Sequence, residues 1–315
     1  MPQVRFLKNE PLSKHTTWRV GGPAAYFIVV HNPSQLEEAL RFGREKGLDY
    51  FVIGAGSNLL VSDEGYKGLV IKLGDGFGKA SVTGEHIRAG AATSLSGLAH
   101  LAGRHSLAGL SFAVGIPGTL GGAICLNAGA HGGTIGDLVE EVGLYSPENG
   151  LIIIKREEIS FGYRQSFLRR SLSRAPSSPP AGRAGDSGQA LQESGILTNA
   201  NLRLKPGDPD KIKDEMRGFL ERRRLTQPVQ ALTAGSVFKN FPDGHAASLI
   251  DGAGCRGMGV GDAVISDKHG NFIINRGEAT ATDIYRLLKT VQARVEERFG
   301  ILLEPEIITL GEFDE

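Results

Sequence analysis

Apolar and polar positions alternate along the chain in two different rhythms. Residues 24–30 (AAYFIVV) form an apolar run of strand length, and 50–53 (YFVI) and 69–73 (LVIKL) form two more. Between the first two, Leu36, Ala39 and Leu40 recur at helical spacing, which predicts a helix over 34–46, with Ser34 and Glu37 as a capping box. Together these make a βαββ unit. Short strands are expected at 80–83 and 87–90, a helix at 94–105 with Leu95, Leu98, Ala99 and Leu101 inward, and strands at 139–145, 151–155 and 196–204. PGDP at 206–209 interrupts the chain before a helix over 210–224, whose stripe is Ile212, Met216, Phe219 and Leu220. Strands near 235–239, 260–266 and 271–275 follow. In the last helix Thr282 is the expected cap, Ile284, Leu287, Leu288, Val291 and Val295 face inward, and Gly300 ends it. A final strand over 301–310 carries Glu304 and Glu306. Residues 171–195 have no period and are mostly Ser, Ala, Pro and Gly, so they read as a mobile surface insertion. There is no internal repeat.

Composition changes this picture at one point. Glycine accounts for 44 of 315 residues, about double the ordinary ~7%. The glycines have no three-residue period, and apolar content is 40% with zero net charge, so neither collagen nor gross disorder accounts for them. They must serve folded backbone that turns tightly or lies close to something. Lys+Arg and Asp+Glu balance at 35 each, which excludes a strongly basic nucleic-acid or anionic-membrane surface. Two distant cysteines, Cys125 and Cys255, make no disulfide framework and suit a reducing cytosol. Met1–Glu10 has no apolar secretory core, and no run reaches the ~18 apolar residues of a membrane span.

Two glycine clusters are candidate ligand loops. Gly54-Ala55-Gly56-Ser57-Asn58 follows strand YFVI, but a third glycine and an opening helix are missing, so a Rossmann dinucleotide site is disfavoured. The loop is either an anion nest of backbone N–H groups or a tight turn. Residues 115–123 (GIPGTLGGA) and 127–133 (NAGAHGG) form the larger cluster. Pro117-Gly118 signals a type II turn. Thr119–Leu126 is expected to open a short helix whose N-terminus aims N–H groups at an anion. Such a run suits a large flat ligand lying on bare backbone, or else a close helix–strand crossing.

Candidate chemistry sits in three further segments: 160–166 (SFGYRQS), 234–240 (AGSVFKN) and 303–306 (LEPE). With GAGSN and GIPGTLGGA…NAGAHGG, these occur together and in order, and in this the chain resembles the UDP-N-acetylenolpyruvoylglucosamine reductases, the MurB flavoenzymes, over residues 12–311 apart from the insertion. The resemblance implies an α+β fold: an FAD-binding domain of the vanillyl-alcohol-oxidase (PCMH) type in two subdomains, 1–78 and 79–205, plus a C-terminal α/β substrate-binding domain, 206–315, from which the final strand can return to the FAD domain. It implies non-covalent FAD wrapped by Gly54, Ala55, Gly56, Ser57 and Asn58 and by Gly115, Pro117, Gly118, Thr119, Gly121, Gly122, Asn127, Ala128 and Gly129.

The reaction so implied has two halves: NADPH gives hydride to the flavin, and flavin N5 then gives it to C3 of the enolpyruvyl group, leaving an enolate to be stabilised and C2 to be protonated. By the same resemblance Ser236 is the proton donor, Arg164 stabilises the enolate beside the substrate carboxylate, and Glu306 hydrogen-bonds that carboxylate. Glu304 competes with Glu306, since the two share a face of an extended strand. Lys239, Asn240 and Arg224 are candidates for the sugar nucleotide and Tyr163 for the pocket wall. The chain departs from the family's pattern at Phe241, where a proline is usual, and at the insertion. It lacks the segment after 204 that carries a tyrosine lid in one branch, and so resembles the shorter branch.

The histidines, His131 included, have no metal-ligand spacing, and the reaction needs no metal. The expected partners are the sugar nucleotide and NADPH, with no nucleic acid, membrane or obligate protein partner, in the cytoplasm. One alternative is an FAD-dependent alcohol or sugar oxidase of the same flavin fold, with His131 as a covalent anchor. The other is a non-catalytic nucleotide-binding protein.

Overall fold

A computed structural model describes residues 4–174, 195–241 and 244–313. The chain order is β1 (Leu7–Pro11), β2 (Pro23–Val30), α1 (Pro33–Glu45), β3 (Tyr50–Ile53), β4 (Leu59–Val61), β5 (Tyr66–Leu73), β6 (Ala80–Thr83), β7 (His86–Gly90), α2 (Leu95–Arg104) and β8 (Leu107–Ala108). Next come α3 (Leu120–Cys125), β9 (Gly129–Ala130), β10 (Gly133–Thr134), β11 (Val139–Ser146), β12 (Gly150–Lys155), β13 (Phe161–Gly162), β14 (Gln165–Ser166), β15 (Ser173–Arg174), β16 (Ile196–Arg203) and β17 (Lys205–Pro206). The chain then forms α4 (Pro209–Thr226), α5 (Ala246–Gly252), β18 (Gly259–Val260), β19 (Ala263–Ile265), β20 (Ile273–Asn275), α6 (Ala281–Phe299) and β21 (Ile308–Leu310). These elements divide into two units, one of residues 1–8, 26–54 and 68–221, the other of residues 9–25, 55–67 and 222–315.

The first unit is built on two five-stranded sheets, ordered β1-β2-β5-β3-β15 and β12-β11-β16-β7-β6. In the first, β3 and β5 are parallel, and the crossover between them carries β4. Helix α1 covers this sheet with Leu36, Ala39 and Leu40, which are buried with Ile28, Val30, Leu69 and Ile71. Its cap is Asn32, whose side chain accepts the Gln35 N–H at 3.0 Å with Pro33 in the first turn, so the Ser34/Glu37 box expected from the sequence does not form. The second sheet is antiparallel throughout. Its core joins Ile87, Val142, Leu144 and Ala200 to α2, α3 and the Ile212 and Met216 side of α4. Leu220, expected on that side of α4, is 42% exposed, so the buried stripe is narrower than its spacing suggested. The first four residues of the expected insertion are ordered: Ser173 and Arg174 pair antiparallel with Phe51 and Tyr50, because a neighbouring edge supplies backbone partners. Residues 175–194, its bulk, lie outside the described residues, as do Pro242 and Asp243.

The second unit gathers three distant stretches of chain around α6. Ile284, Leu287, Leu288, Val291 and Val295 are buried with Trp18, Leu60, Val237 and Phe238. Trp18 is fully buried, its indole N–H donates to the Ile273 carbonyl at 2.9 Å, and Asn275 Nδ2 donates to the Trp18 carbonyl at 2.9 Å. Helix α6 starts at a capping box of Thr280 and Asp283, two residues before the cap expected at Thr282. The Thr282 hydroxyl donates instead to Asp63 at 2.7 Å, and that carboxylate also accepts the Ala281 and Thr282 N–H groups. Gly300 closes the helix in left-handed backbone at φ +69°, as its position predicts. The expected strand 301–310 is reduced to a bridge at Pro305 and to β21, which runs parallel to β4.

Candidate functional site

In the first unit the predicted residues meet around two tight hairpins. Gly162 pairs with Gln165, so Tyr163 and Arg164 form the two-residue connection of β13 and β14. Arg164 there has φ +54°, a left-handed conformation that costs about 1 kcal/mol for a residue with a Cβ. Its Nη1 donates to the Gly129 carbonyl at 2.9 Å, and its guanidinium lies 5.4 Å from the Tyr163 ring centre. Asn127, also left-handed at φ +44°, links the same pieces. Its Nδ2 donates to the Gly162 carbonyl at 2.9 Å while its Oδ1 accepts the Gly136 N–H at 3.0 Å. The β9–β10 hairpin turns through His131 and Gly132, both at positive φ as a type I′ turn requires, and the His131 ring stacks on Phe219 at 4.0 Å. The side chain of Asn127, predicted to face a cofactor, is thus occupied in orienting the Arg164 hairpin.

The larger glycine cluster separates into two kinds of position. A Cβ on Gly121 would lie 3.0 Å from Ala91 Cβ, and one on Gly133 would lie 2.6 Å from the Phe112 ring, so these glycines permit close chain crossings. Helix α3 forms where the sequence placed it, and its first two N–H groups are taken by protein carbonyls. The Leu120 and Gly121 N–H groups donate to the Thr93 and Ala91 carbonyls at 2.8 Å each. The other kind of position surrounds Thr119. Its hydroxyl makes no capping bond to the helix, and a Cβ on Gly54 would come to 2.6 Å of it, while one on Gly122 would stand off at 3.7 Å with no other atom within 4 Å. Pro117 and Gly118 precede it, Gly118 at φ +137°. The Gly54 end of the first loop and the GTLGG segment therefore share a hydroxyl bordered by bare backbone, a cradle that side chains would fill. These residues fit a flat cofactor resting on main chain.

In the second unit the motif residues converge through backbone pairing. The Glu306 N–H donates to the Val237 carbonyl at 2.7 Å, Phe238 bridges Pro305, and the Lys239 N–H donates to the Glu304 carbonyl at 2.8 Å. Ser236 is thereby one residue from the direct partner of Glu306. The Lys239 ammonium is paired with the Glu304 carboxylate, and Lys239 is the more buried of the two, at 14% against 70% exposure. Asn58 joins the end of the first glycine loop to this segment: its Nδ2 donates to the Glu306 carbonyl at 3.0 Å and its own carbonyl accepts the Ile308 N–H at 3.0 Å. Gly56, at φ +65°, sits so close to the His15 carbonyl that a Cβ would be 2.0 Å from it. Asn240 Oδ1 accepts the Ala246 N–H at 3.0 Å and so caps α5. Arg224 is exposed at the end of α4, where its carbonyl accepts from Lys268 Nζ. Arg223 beside it is more buried, which holds its guanidinium below the usual arginine range. One residue that the sequence offers only as part of an expected strand stands out. Asn271 is buried, and it holds both backbone polar groups of Phe238 with its side chain. Its sequence setting is His269-Gly270 followed by that strand, which gives no sign of the side chain's role.

Residues 227–310 match the model of the UDP-N-acetylenolpyruvoylglucosamine reductase C-terminal domain, and residues 24–154 match that of the FAD binding domain. The chain is 41% identical over 307 residues to UDP-N-acetylenolpyruvoylglucosamine reductase 2 of Symbiobacterium thermophilum, covering 98% of this chain and 92% of that protein. This chain belongs to the MurB family. It is also 40% identical to the reductase of Moorella thermoacetica, over 98% of this chain and 95% of the relative. The crystal structure of MurB from Thermus caldophilus superposes with a TM-score of 0.78 at 35% identity, covering 98% of this chain and 99% of that one. The α+β class, with an FAD-binding domain of the vanillyl-alcohol-oxidase type and a C-terminal domain, is borne out. Among the described residues no cluster of His, Cys, Asp and Glu is arranged to hold a metal, and no helix is long and apolar enough to cross a membrane.

Proposed function

We propose that this MurB-family chain is the NADPH-dependent, FAD-containing reductase that converts UDP-N-acetylenolpyruvoylglucosamine to UDP-N-acetylmuramate, a cytoplasmic step of peptidoglycan precursor synthesis. The observation that carries the reading is the backbone pairing of Glu306 with Val237, which runs the LEPE segment alongside the Ser236 segment. Bound FAD would supply the redox chemistry, a hydride taken from NADPH and passed to C3 of the enolpyruvyl group. Gly54, Thr119 and Gly122 would seat that cofactor, with Ala55, Gly56, Ser57, Asn58, Gly115, Pro117, Gly118, Gly121, Asn127, Ala128 and Gly129 lining or shaping the loops around it.

The chain's own part is charge and a proton. Arg164, with its Nη1 on Gly129, presents a fixed positive charge to the substrate carboxylate, so negative charge developing at C2 delocalises towards it. Glu306 donates a hydrogen bond to that carboxylate when protonated. The Ser236 hydroxyl gives its proton to C2, which completes the saturated lactyl ether. Lys239 binds the sugar-nucleotide diphosphate, leaving Glu304 to do so; Asn240 and Arg224 border the same nucleotide and Tyr163 the pocket wall. Cofactor binding is assigned to residues 1–78 and 79–205, and substrate binding to 206–315.

The test is anaerobic. Yellow protein is bleached with NADPH and then mixed with the enolpyruvyl sugar nucleotide. Immediate return of flavin absorbance is expected. A reduced protein that ignores this substrate but reoxidises rapidly in air would be an oxidase, and a colourless preparation that takes up no FAD would end the reading.

A further inference from the structure

We infer that Asn271 is a positioning residue for Ser236, holding the turn that carries the serine in one backbone arrangement. The inference rests on Ser236 as the proton donor and adds what keeps that donor in place.

The segment around Ser236 has little regular support. Gly235 precedes it at φ +83°, and a Cβ there would meet nothing within 4 Å. Ser236 and Phe238 make only isolated bridges, to Phe272 and Pro305. Stability of this turn therefore depends on where the buried polar groups of Val237 and Phe238 find partners. Three of those four groups end on one residue. The Val237 N–H donates to the Asn271 carbonyl at 2.9 Å. The Phe238 N–H donates to Asn271 Oδ1 at 2.9 Å, and Asn271 Nδ2 donates to the Phe238 carbonyl at 2.8 Å. The fourth, the Val237 carbonyl, takes the Glu306 N–H. Asn271 thus acts as a stand-in strand, and the only other anchor of the pair is the residue proposed to work with Ser236.

The chemistry requires an asparagine. A carboxamide offers a donor and an acceptor side by side, as a peptide group does. Aspartate would turn two acceptors towards the Phe238 carbonyl, and leucine would leave both backbone groups without a partner. Asn271 is 3% exposed, so its side chain is enclosed by protein. It is itself held, its N–H donating to His269 Nδ1 at 3.2 Å.

Asn271→Asp, Asn271→Ser, Ser236→Ala and the double variant Ser236→Ala/Asn271→Asp test this in the flavin-loaded protein. Asn271→Asp is expected to keep the rate of flavin reduction by NADPH and the KM for the sugar nucleotide within about twofold. It should slow reoxidation by the enolpyruvyl substrate about 10- to 100-fold, the cost of one buried group left unpaired. Asn271→Ser, smaller and able both to donate and to accept, should fall between. The double variant should reoxidise no more slowly than Ser236→Ala alone, because a residue that acts through Ser236 has nothing further to lose. Hydrogen exchange gives a readout independent of turnover: amides 236–239 should exchange at least about tenfold faster in Asn271→Asp, while 284–295 of α6 stay protected. Unchanged exchange at 236–239, multiplying losses in the double variant, or equal slowing of both half-reactions would overturn the positioning role. Full reoxidation by Ser236→Ala would instead remove the proton-donor assignment, and the inference with it.

Discussion

Arg164 donates to the carbonyl of Gly129 at 2.9 Å from a backbone conformation that arginine rarely adopts, φ +54°. A glycine in the Tyr163-Arg164 turn would avoid this cost. The turn holds an arginine instead, and its guanidinium is tied to a loop of the glycine cluster. Strain retained at one residue of a motif is what a functional constraint predicts. Arg164→Gly should therefore leave the thermal midpoint unchanged or slightly raised, since relief of about 1 kcal/mol of strain offsets the lost hydrogen bond. It should abolish reoxidation by the enolpyruvyl substrate. Arg164→Lys, which keeps the charge but not the fork, should slow reoxidation about 10²- to 10³-fold with flavin reduction nearly intact. A marked fall in the midpoint of Arg164→Gly would show that the arginine is there for stability.

Adjacent glycines of α3 should respond in opposite ways. Gly121→Val meets Ala91 and should lower the thermal midpoint. Gly122→Val has only the Thr119 hydroxyl nearby and should fold normally, but purify with less FAD because it fills the cradle. Flavin absorbance per protein, set beside the melting curve, separates the two. A Gly122→Val protein with full flavin content would remove this position from the cofactor site.

Both thiols should be silent in the folded chain. Burial pushes Cys125 up to about 12 and raises Cys255 as well, so neither supplies a thiolate at pH 8. A colorimetric disulfide reagent should count no thiol in native protein and two after urea. Rapid release of one equivalent without denaturant would contradict the enclosure of these residues.

His269 predicts an acid-sensitive fold. Burial is the main reason that its pKa lies below the ordinary 6.5, and its Nδ1 accepts the Asn271 N–H, a bond lost on protonation. The unfolded chain then binds the proton more readily than the folded one. The stability held by the neutral ring is complete above pH 6.5 and declines as pH falls through and below that value. The thermal midpoint should therefore drop between pH 7.5 and 5.5, and His269→Gln should flatten that drop while lowering the midpoint at pH 7.5. An equally steep dependence in His269→Gln would assign it to other groups.

What the sequence disclosed depended on how local the governing contacts are. Helix α6 was plain from Ile284, Leu287, Leu288, Val291 and Val295, because its buried face repeats within one element. Its start lies two residues before the expected Thr282: Thr280 and Thr282 are alike in sequence, and what separates them is Asp63, 219 residues from Thr282. The Ser34/Glu37 box gives way to Asn32 for a similarly unobvious reason: Ser34 is also a good capping residue, and Pro33 suits the first helical position after Asn32. The strand expected over 301–310 is shorter because Pro305 has no N–H to extend a ladder. Strand β1, LKNEP, has no alternation to betray it. The motif order points to Ser236, Arg164 and Glu306, and to Asn127 only as a cofactor residue; Asn271 falls inside an expected strand, and the bracing role of each asparagine becomes legible only from its side-chain partners.

The parallel pairing of β21 with β4 sets an order of events during synthesis. Asn58 must wait for Glu306, a partner 248 residues further along the chain. Trp18 and Leu60 likewise wait for the apolar face of α6 before they can be buried. While the ribosome makes the intervening residues, the other unit can complete both of its sheets, but the unit that holds Ser236 and Glu306 cannot close. Its closing loop is long, so its folding should be the slower of the two. Trp18 is the sole tryptophan, which makes its fluorescence a direct clock for that step. The nascent chain therefore passes through a stage in which Gly54 and Thr119 already have their neighbours, while the segments of Asn58 and Ser236 are still without a frame.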